Sequence, residues 1–379
     1  MRVLITGGAG FIGSHTADAL IGRGYAVRIL DNLQKTVHPK GMPEYLHPDA
    51  EFMLGDVRDK GTWEKALKGV QAVYHLAAYQ DYLTDFSTFF HINTVSTALL
   101  YEVLVERAPQ MTVEKVIVAA SQAVMGEGRY RCPECTARDG RFVYPDIRLE
   151  VKLSRGDWDH RCPTCDGILQ WVPSDEHVAN PCNQYAISKY SQEQIAMQLG
   201  KRYSIPTTVM RYSIVQGPRQ SFYNAYSGAM RIFALSLMFE RPPMIYEDGR
   251  QVRDFVNIED VIDANILVLE NREADDRMFN VGGGAAWTVR DFYDTMGDIT
   301  GKSLTPLIDG YYRYGDTRHI VSDIRRLRRL GWEPRRDVRD SIGQYWDYLH
   351  RQKDMDDILA YAETHMKQLQ VIRKARPRS

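Results

Sequence analysis

Tyr185 and Lys189, in the stretch YAISK, stand four residues apart and share one face of a helix. An ammonium held near a phenol favours the phenolate, and a phenol tuned that way can take a proton from an alcohol near neutral pH. The adjoining YSQEQ is equally helical and suggests no chemistry of its own. Ser121 closes the apolar run KVIVAAS and offers a third hydroxyl at a strand end, where a turn hydrogen bond is the plainer use for it. A second set is Cys132-x2-Cys135 in RCPEC and Cys162-x2-Cys165 in RCPTC. Two such knuckles supply four thiolates, the donor set of a closed tetrahedral zinc site with no position open for water. Disulfides and free thiols are the alternatives. His160 and His177 flank the knuckles as competing ligands, and Cys182 is the odd thiol.

The elements that must position these groups begin at VLITGGAGFIG, a short apolar strand running into a glycine turn and a helix. Gly7, Gly10 and Gly13 permit a tight turn, close approach of a pyrophosphate, and tight packing of helix on strand. The helix N-terminus offers free N–H groups and a positive dipole end to phosphates. A second strand, AVRILDN, ends in Asp31, whose carboxylate can accept both ribose hydroxyls and would repel a 2′-phosphate, so NAD is expected in preference to NADP. Asp56, at the end of EFMLGDV, is placed to receive the adenine amino group or to cap the helix that follows. The strands AVYHLAA and KVIVAAS then alternate with helical stretches such as STALLYEVLVER, which predicts an α/β fold with a doubly wound parallel sheet.

A chain of 379 residues with 44% hydrophobic side chains can fill a sizeable core, as one large domain or two smaller ones. Its formal charge of −1 gives no basic field for nucleic acid or an anionic membrane. No apolar run approaches the roughly eighteen residues of a membrane span. The opening MRVLITGG reads directly as a strand, without room for a signal peptide. A cytoplasmic protein is expected, where thiols stay reduced and cysteines are metal ligands or free before they are disulfides.

Taken in order, TGGAGFIG, HLAA, Asn93, ASQAVMG, YAISK, RYSIVQGPR, DGRQVRDFVNIEDV, FNVGGG, RYGDTRHIVSD and LGWEP resemble the extended short-chain dehydrogenase/reductases, specifically the nucleotide-sugar epimerase/dehydratase family. The resemblance spans nearly the whole chain except residues about 127–178 and the last forty or so. It implies a Rossmann domain over 1–212 holding NAD, a smaller substrate-binding domain over 213–340 with interleaved boundaries, and a helical extension with a basic tail over 341–379. It implies Ser121, Tyr185 and Lys189 as the catalytic group. On the cofactor it implies Phe11, Ile12, Asn32, Val57, Leu76, Ala77, Ala78 and Asn93 beside the glycines, Asp31, Asp56, Tyr185 and Lys189. Gln122 is expected beside Ser121 on the substrate, and Arg253 and Arg313 on its nucleotide or diphosphate, which an arginine fork suits. A homodimer is expected, with no nucleic-acid or membrane partner.

Departures from the pattern narrow the reaction. Relatives that dehydrate carry an Asp-Glu pair after the Ser/Thr, where this chain has Gln122 and Ala123. Relatives that decarboxylate keep a Glu, and those that epimerise at C3 and C5 a Cys, at the position of Ala123. One base and one hydride remain, the chemistry of a 4-epimerase working through a 4-keto sugar. A 4-keto reductase would use the same residues, and an NAD-binding scaffold that has lost catalysis is the non-enzymatic alternative. Ile214, Gln80 and Met125 replace an asparagine, a lysine and a tyrosine of relatives, which points to a remodelled sugar pocket. The aromatic-rich SFYNAYSGAMRIF is expected to cover the substrate or to pack between domains.

Between Ser121 and Tyr185 lie 63 residues, more than the family needs, and the excess carries the knuckles. Short strands are expected between them, giving a zinc-ribbon-like insert beside the pocket mouth, with the metal substituting for a core too small to stand alone. After LGWEP, one or two amphipathic helices and a solvated RKARPRS tail are expected.

Overall fold

Strand β1 (Arg2–Thr6) is apolar at its three central residues and buried beyond its first, as a central parallel strand covered on both faces must be. The computed structural model describes residues 1–81, 83–221, 228–352 and 372–376. From β1 the chain alternates through α1 (Phe11–Gly22), β2 (Ala26–Asp31), β3 (Glu51–Leu54), α2 (Lys60–Ala66) and β4 (Ala72–His75). It continues through α3 (Phe86–Phe89), α4 (Ser96–Glu106) and β5 (Lys115–Ser121). The insert then contributes β6 (Arg129–Arg131), α5 (Cys135–Asp139), α6 (Glu150–Leu153) and β7 (Gln170–Val172). The alternation resumes with α7 (Gln184–Tyr203), β8 (Thr207–Tyr212) and β9 (Ile214–Gln216).

Beyond β9 come α8 (Ala229–Met238), β10 (Val252–Asn257), α9 (Ile258–Glu270), β11 (Arg277–Val281) and β12 (Ala286–Thr288). The last elements are α10 (Val289–Thr300), β13 (Tyr311–Arg313), α11 (Arg325–Arg328), α12 (Val338–His350) and β14 (Ile372–Lys374). The main sheet has seven strands in the order β11-β8-β5-β4-β1-β2-β3, every neighbouring pair parallel. This is the expected doubly wound Rossmann architecture. The order reverses between β1 and β4, and the carboxyl ends of the strands there leave the crevice in which such folds bind ligands.

Two apolar clusters cover the sheet, one built with α1 and α9 and the other with α2, α4 and α7. Strand β11 pairs with β8 although it lies well past residue 212, so the chain returns to the large sheet after starting its second layer. That second layer is a three-stranded sheet, β12-β10-β9, packed with α8, α10 and α12 around Phe233, Phe255, Phe292 and Tyr345.

Local signals fix the helix ends. Asn183 caps α7 by accepting from the Ala186 N–H at 2.8 Å, and Ser204 ends it in a left-handed conformation. Asp59 caps α2, so the cap alternative raised for Asp56 belongs to its neighbour three residues on. Asp56 instead accepts from the backbone and side chain of Arg58, which holds its carboxyl down to about 2.

The insert departs from expectation in part. Its two-stranded β6–β7 ladder is present, but the LEVKL segment forms the short helix α6, because Leu153 turns inward onto Trp158, Tyr312 and Ala375. The basic tail is not wholly solvated either: Ile372–Lys374 pair antiparallel with β13, and the Arg376 N–H donates to the Ser154 carbonyl at 2.8 Å. Residues 222–227, where the covering aromatics were expected, and most of the C-terminal extension beyond α12 lie outside the described residues.

The stretch YSQEQ, unremarkable as sequence, anchors the fold. Glu193 forms a two-point ion pair with Arg211 of β8, at 2.6 and 2.9 Å, with both side chains essentially inaccessible. The Arg211 guanidinium also donates to the Val178 carbonyl at 2.9 Å, on the loop returning from the insert. Replacing Glu193 by alanine strands a buried guanidinium, so unfolding in denaturant should show a loss of about 3–5 kcal/mol. A loss below about 1 kcal/mol would mean that the pair is dispensable.

Candidate active site

A cavity of about 1310 Å³ opens along the carboxyl ends of the main sheet and runs under the second layer. Ser121, Gln122, Tyr185, Lys189, Arg253 and Arg313 all line it, and so do Phe11, Ile12, Leu76 and Ala78. Residues more than a hundred positions apart therefore meet because β5 ends there, α7 begins there, and β10 and β13 face them.

Ser121 ends β5, and its Oγ accepts from the Ala123 N–H at 3.2 Å, the turn bond anticipated for a strand-end serine. That leaves its O–H to donate elsewhere. Tyr185 lies in the first turn of α7, and Lys189 one turn further in. The Lys189 ammonium is buried and donates to the Ala119 carbonyl at 2.7 Å and to Gln192 Oε1 at 2.8 Å. Burial pulls it down to about 7. The Gln192 amide donates in turn to Thr97 Oγ1, which donates to the Asn93 carbonyl. Gln192 is the functional residue that sequence reading passed over; its partner Thr97 is 95 positions away, so no local signal marks it.

The glycine turn is built for close contact. Gly7 has φ +67°, and a Cβ there would lie 2.8 Å from the Ala77 backbone. A Cβ on Gly13 would come within 2.3 Å of the Gly7 carbonyl, which forces glycine where α1 crosses β1. Among the described residues, chain neighbours aside, a Cβ on Gly10 would approach only the Gly7 carbonyl oxygen within 4 Å, which leaves space before α1. No side chain among the described residues caps this helix. Its first N–H groups therefore face that space unsatisfied, a seat for an anion. Asp31 ends β2 with its carboxylate accepting from the Ala9 and Leu33 N–H groups at 3.0 and 2.9 Å, and each oxygen keeps a further acceptor position for a hydroxyl. Asn32 donates to Asp56 at 3.2 Å beside it, and the Val57 carbonyl accepts from Trp63 at 2.7 Å.

Asn93 is not brought to the cavity. It is inaccessible, its amide engaged by both backbone groups of Tyr79 and by Ser188 Oγ, so it braces the loop after β4. His75, at the end of β4, lies between Thr6 and Ser96 hydroxyls, and burial pushes it down to about 3.

The two arginines differ. Arg313 pairs with Asp316 at 2.8 Å and lies over the Tyr246 ring. Arg253 donates only to carbonyl oxygens among the described residues, those of Val252, Thr317 and Arg318 at 2.8–3.1 Å. Among the described residues no carboxylate pairs directly with this guanidinium at the cavity wall, although those of Asp316 and Glu247 act on it from further off, so its hydrogen-bonding edge suits an anion. Gln122 Oε1, beside Ser121, is buried without a hydrogen-bond partner among the described residues, and Ala123 next to it carries no acid.

The family assignment follows from the chain itself. A model of the "NAD dependent epimerase/dehydratase family" matches residues 3–146 and 169–282. The chain belongs to this family. The gap between the two matched stretches contains Cys162 and Cys165. Among curated members, the dTDP-L-rhamnose 4-epimerase of Burkholderia thailandensis is 31% identical over 362 residues, covering 93% of this chain and 96% of that one. A putative UDP-glucose 4-epimerase of Methanocaldococcus jannaschii is 30% identical, over 90% and 95% of the two chains. Among solved structures, the UDP-glucose 4-epimerase of Thermotoga maritima with UDP-glucose superposes with a TM-score of 0.75 at 28% identity, over 93% of this chain and 99% of that one. The Thermus thermophilus UDP-glucose 4-epimerase with NAD gives 0.71 at 26%, over 93% and 100%.

The cysteine cluster lies apart from the cavity. The sulfurs of Cys132, Cys135, Cys162 and Cys165 lie within 4.8 Å of one another, and Cys132 and Cys165 are 3.4 Å apart. A zinc tetrathiolate with bonds of about 2.3 Å needs its sulfurs roughly 3.8 Å apart. The set fits that ion, and all four thiols are free of disulfides. Backbone N–H groups, first that of Cys165, point at Cys162 and pull its thiol down to about 6, whereas burial and the neighbouring sulfurs push Cys135 up to about 12 in this cluster of free thiols. The flanking histidines are occupied elsewhere, His160 beside Glu127 at 3.0 Å and His177 beside Arg326 at 3.3 Å.

The Lys189 shift predicts a pH dependence. Its native value of about 7 lies below the 10.5 of an unperturbed lysine, so between those limits the unfolded chain binds more protons and stability rises with pH. Wild type should therefore gain stability relative to Lys189→Met as pH climbs from about 7 toward 10.5, followed by denaturant midpoints. Parallel curves for the two proteins would show that the ammonium is not desolvated.

Proposed function

We propose that this chain is an NAD-dependent nucleotide-sugar 4-epimerase, with Ser121, Tyr185 and Lys189 as its catalytic group. One observation carries the reading: a serine hydroxyl, a tyrosine and a buried lysine converge on one cavity whose neighbouring positions, Gln122 and Ala123, hold no acid. The names of the relatives support the same reaction class. In this reading residues 1–212, with β11 and α9, form the cofactor half, and the remainder of 213–340 the substrate half.

The glycine turn, the open N-terminus of α1 and Asp31 fit NAD and would hold its pyrophosphate and ribose. NAD, when bound, supplies the hydride acceptor and donor. The Tyr185 phenolate takes the proton from the C4 hydroxyl, and Lys189 stabilises that phenolate by its charge. Ser121 donates its free O–H to the oxygen that becomes the 4-keto group. After the sugar presents its other face, Tyr185 returns the proton to the same oxygen. With no acid at positions 122 and 123, no group there can expel a hydroxyl from C6. Arg253 and Arg313 hold the diphosphate end while the sugar turns.

The deciding experiment incubates the purified protein, without added cofactor, with dTDP-L-rhamnose, UDP-glucose and further nucleotide sugars, and follows them by NMR. A C4 epimer without net NADH is the expected result. Consumption of a 4-keto sugar only when NAD(P)H is supplied would replace the epimerase by a reductase. Tyr185→Phe should lower kcat by about 10²–10⁴-fold, the usual worth of a general acid–base, while bound NAD is retained. Full activity in that variant would sink the assignment of the base.

We further propose one structural zinc ion on the four cysteines. A closed tetrathiolate leaves no coordination site for substrate, so its contribution is to the fold of the insert. Elemental analysis should find one zinc per chain in the purified protein and about none in Cys132→Ser. Stoichiometric disulfides in its place would overturn the site.

A further inference from the structure

The insert makes its strongest contacts with the arginine side of the cavity. Arg148, 6% exposed, leaves the insert and forks onto Glu247 at 2.7 and 2.9 Å, and it also donates to the Asp316 carbonyl at 2.7 Å. Arg318, 1% exposed, donates to the same Glu247 at 2.8 Å, forks onto Asp248 at 2.7 and 2.9 Å, and reaches back to Asp159 of the insert at 2.8 Å. The Arg318 N–H donates to Glu127, whose carboxylate also faces His160. Glu150 of α6 accepts from the Tyr312 hydroxyl at 2.7 Å. The segment 312–318 is thus fastened in part by insert residues, Arg148, Glu127, Glu150 and Asp159, beside Glu247, Asp248 and the paired strand β14.

Its inner side carries the anion-binding groups. Arg313 lines the cavity from this segment, and Thr317 and Arg318 supply two of the three carbonyl oxygens that aim Arg253. The knuckles set the other end. Tyr130, two residues before Cys132, lies between the rings of His160 and His319, at centroid distances of 5.2 and 6.3 Å. The His160 carbonyl accepts from Leu169 in the ladder that closes the second knuckle.

We propose that the insert is a substrate-affinity module, in which Arg148 and Asp159 are positioning residues that fix segment 312–318 so that Arg253 and Arg313 meet the diphosphate of the substrate. This rests on the reading of the cavity as a nucleotide-sugar site. The insert acts through the placement of two guanidinium groups, and neither positioning residue touches the sugar. A group that orients the diphosphate changes affinity, while Tyr185 and Lys189, on separate elements, keep the rate of the bound complex.

Two variants of the zinc-loaded, NAD-bound protein test this. Arg148→Met leaves Glu247 paired with Arg318, and Asp159→Asn leaves Arg318 paired with Glu247 and Asp248. The probes are UDP and dTDP, titrated calorimetrically, with KM and kcat measured on whichever nucleotide sugar the protein turns over. Expected are a tenfold or greater loss of nucleotide affinity and a matching rise in KM, with kcat within about twofold and zinc and NAD contents unchanged. Arg148→Lys should recover part of the affinity. If Arg253→Ala loses nucleotide affinity while both positioning variants keep theirs within twofold, the inference is overturned and the nucleotide-sugar site stands. A fall in kcat at constant KM overturns it equally. If wild type binds neither nucleotide, the substrate class fails and the inference falls with it.

Discussion

The hydrogen bond from the Lys189 ammonium to the Ala119 carbonyl joins α7 to β5, the two elements that must meet for the cavity to have any chemistry. A lysine buried between a helix and a parallel sheet loses its hydration, and neutral acceptors only partly restore it. The observed arrangement limits that cost. One proton goes to a strand carbonyl, a second goes to Gln192, and Gln192 is itself held by Thr97. Tyr185 takes its position from the same bond, since it lies one turn before Lys189 on a helix whose start is pinned by Asn183. One residue after Gln192, Glu193 makes the second tie, to β8. A single helix therefore carries both the reactive groups and the ion pair that sets its distance from the sheet.

That constraint explains how the chain tolerates so long an excursion between β5 and α7. Once α7 is fixed by its own contacts, the 63 residues separating Ser121 from Tyr185 need only leave and return at the cavity rim. Their apolar cluster is small, consisting of Tyr130, Cys132, Cys162 and Leu169 with a few half-buried neighbours, far short of an independent core. Four converging thiols and a buried lattice of arginines and carboxylates replace it. Buried ion pairs are weak sources of net stability because desolvation offsets their attraction. They do demand particular partners in a particular geometry, which suits a module whose task is to hold one short segment in register.

The same logic applies to the chain terminus. Strand β14 is short and basic, with no apolar alternation to announce it. It forms because β13 presents an open edge and Ala375 fills a space beside Leu153 and Tyr312. The far end of the molecule and the insert thus converge on the strand that carries Arg313.

Much of this was legible in the sequence, for reasons that are local. Spacing alone set Tyr185 and Lys189 on one helical face, and the glycine run set a turn that no side chain could enter at Gly7 or Gly13. The alternation of apolar strands with helices gave the parallel sheet, and the paired knuckles gave four thiols in one place. What required the tertiary structure was every decision resting on two distant partners. Gln192 reads as one more polar residue on a helix until Thr97 and Lys189 close around it. Nothing beside Asn93 in the sequence tells that its amide bonds Tyr79 and Ser188. Nothing near Arg148 or Arg318 in the sequence announces that the fold buries both against Glu247, with half-exposed Asp159 beside Arg318. Local chemistry is written in neighbouring residues because the backbone fixes their geometry. The use of a long polar side chain is decided only when packing determines which partner it meets and whether water can compete.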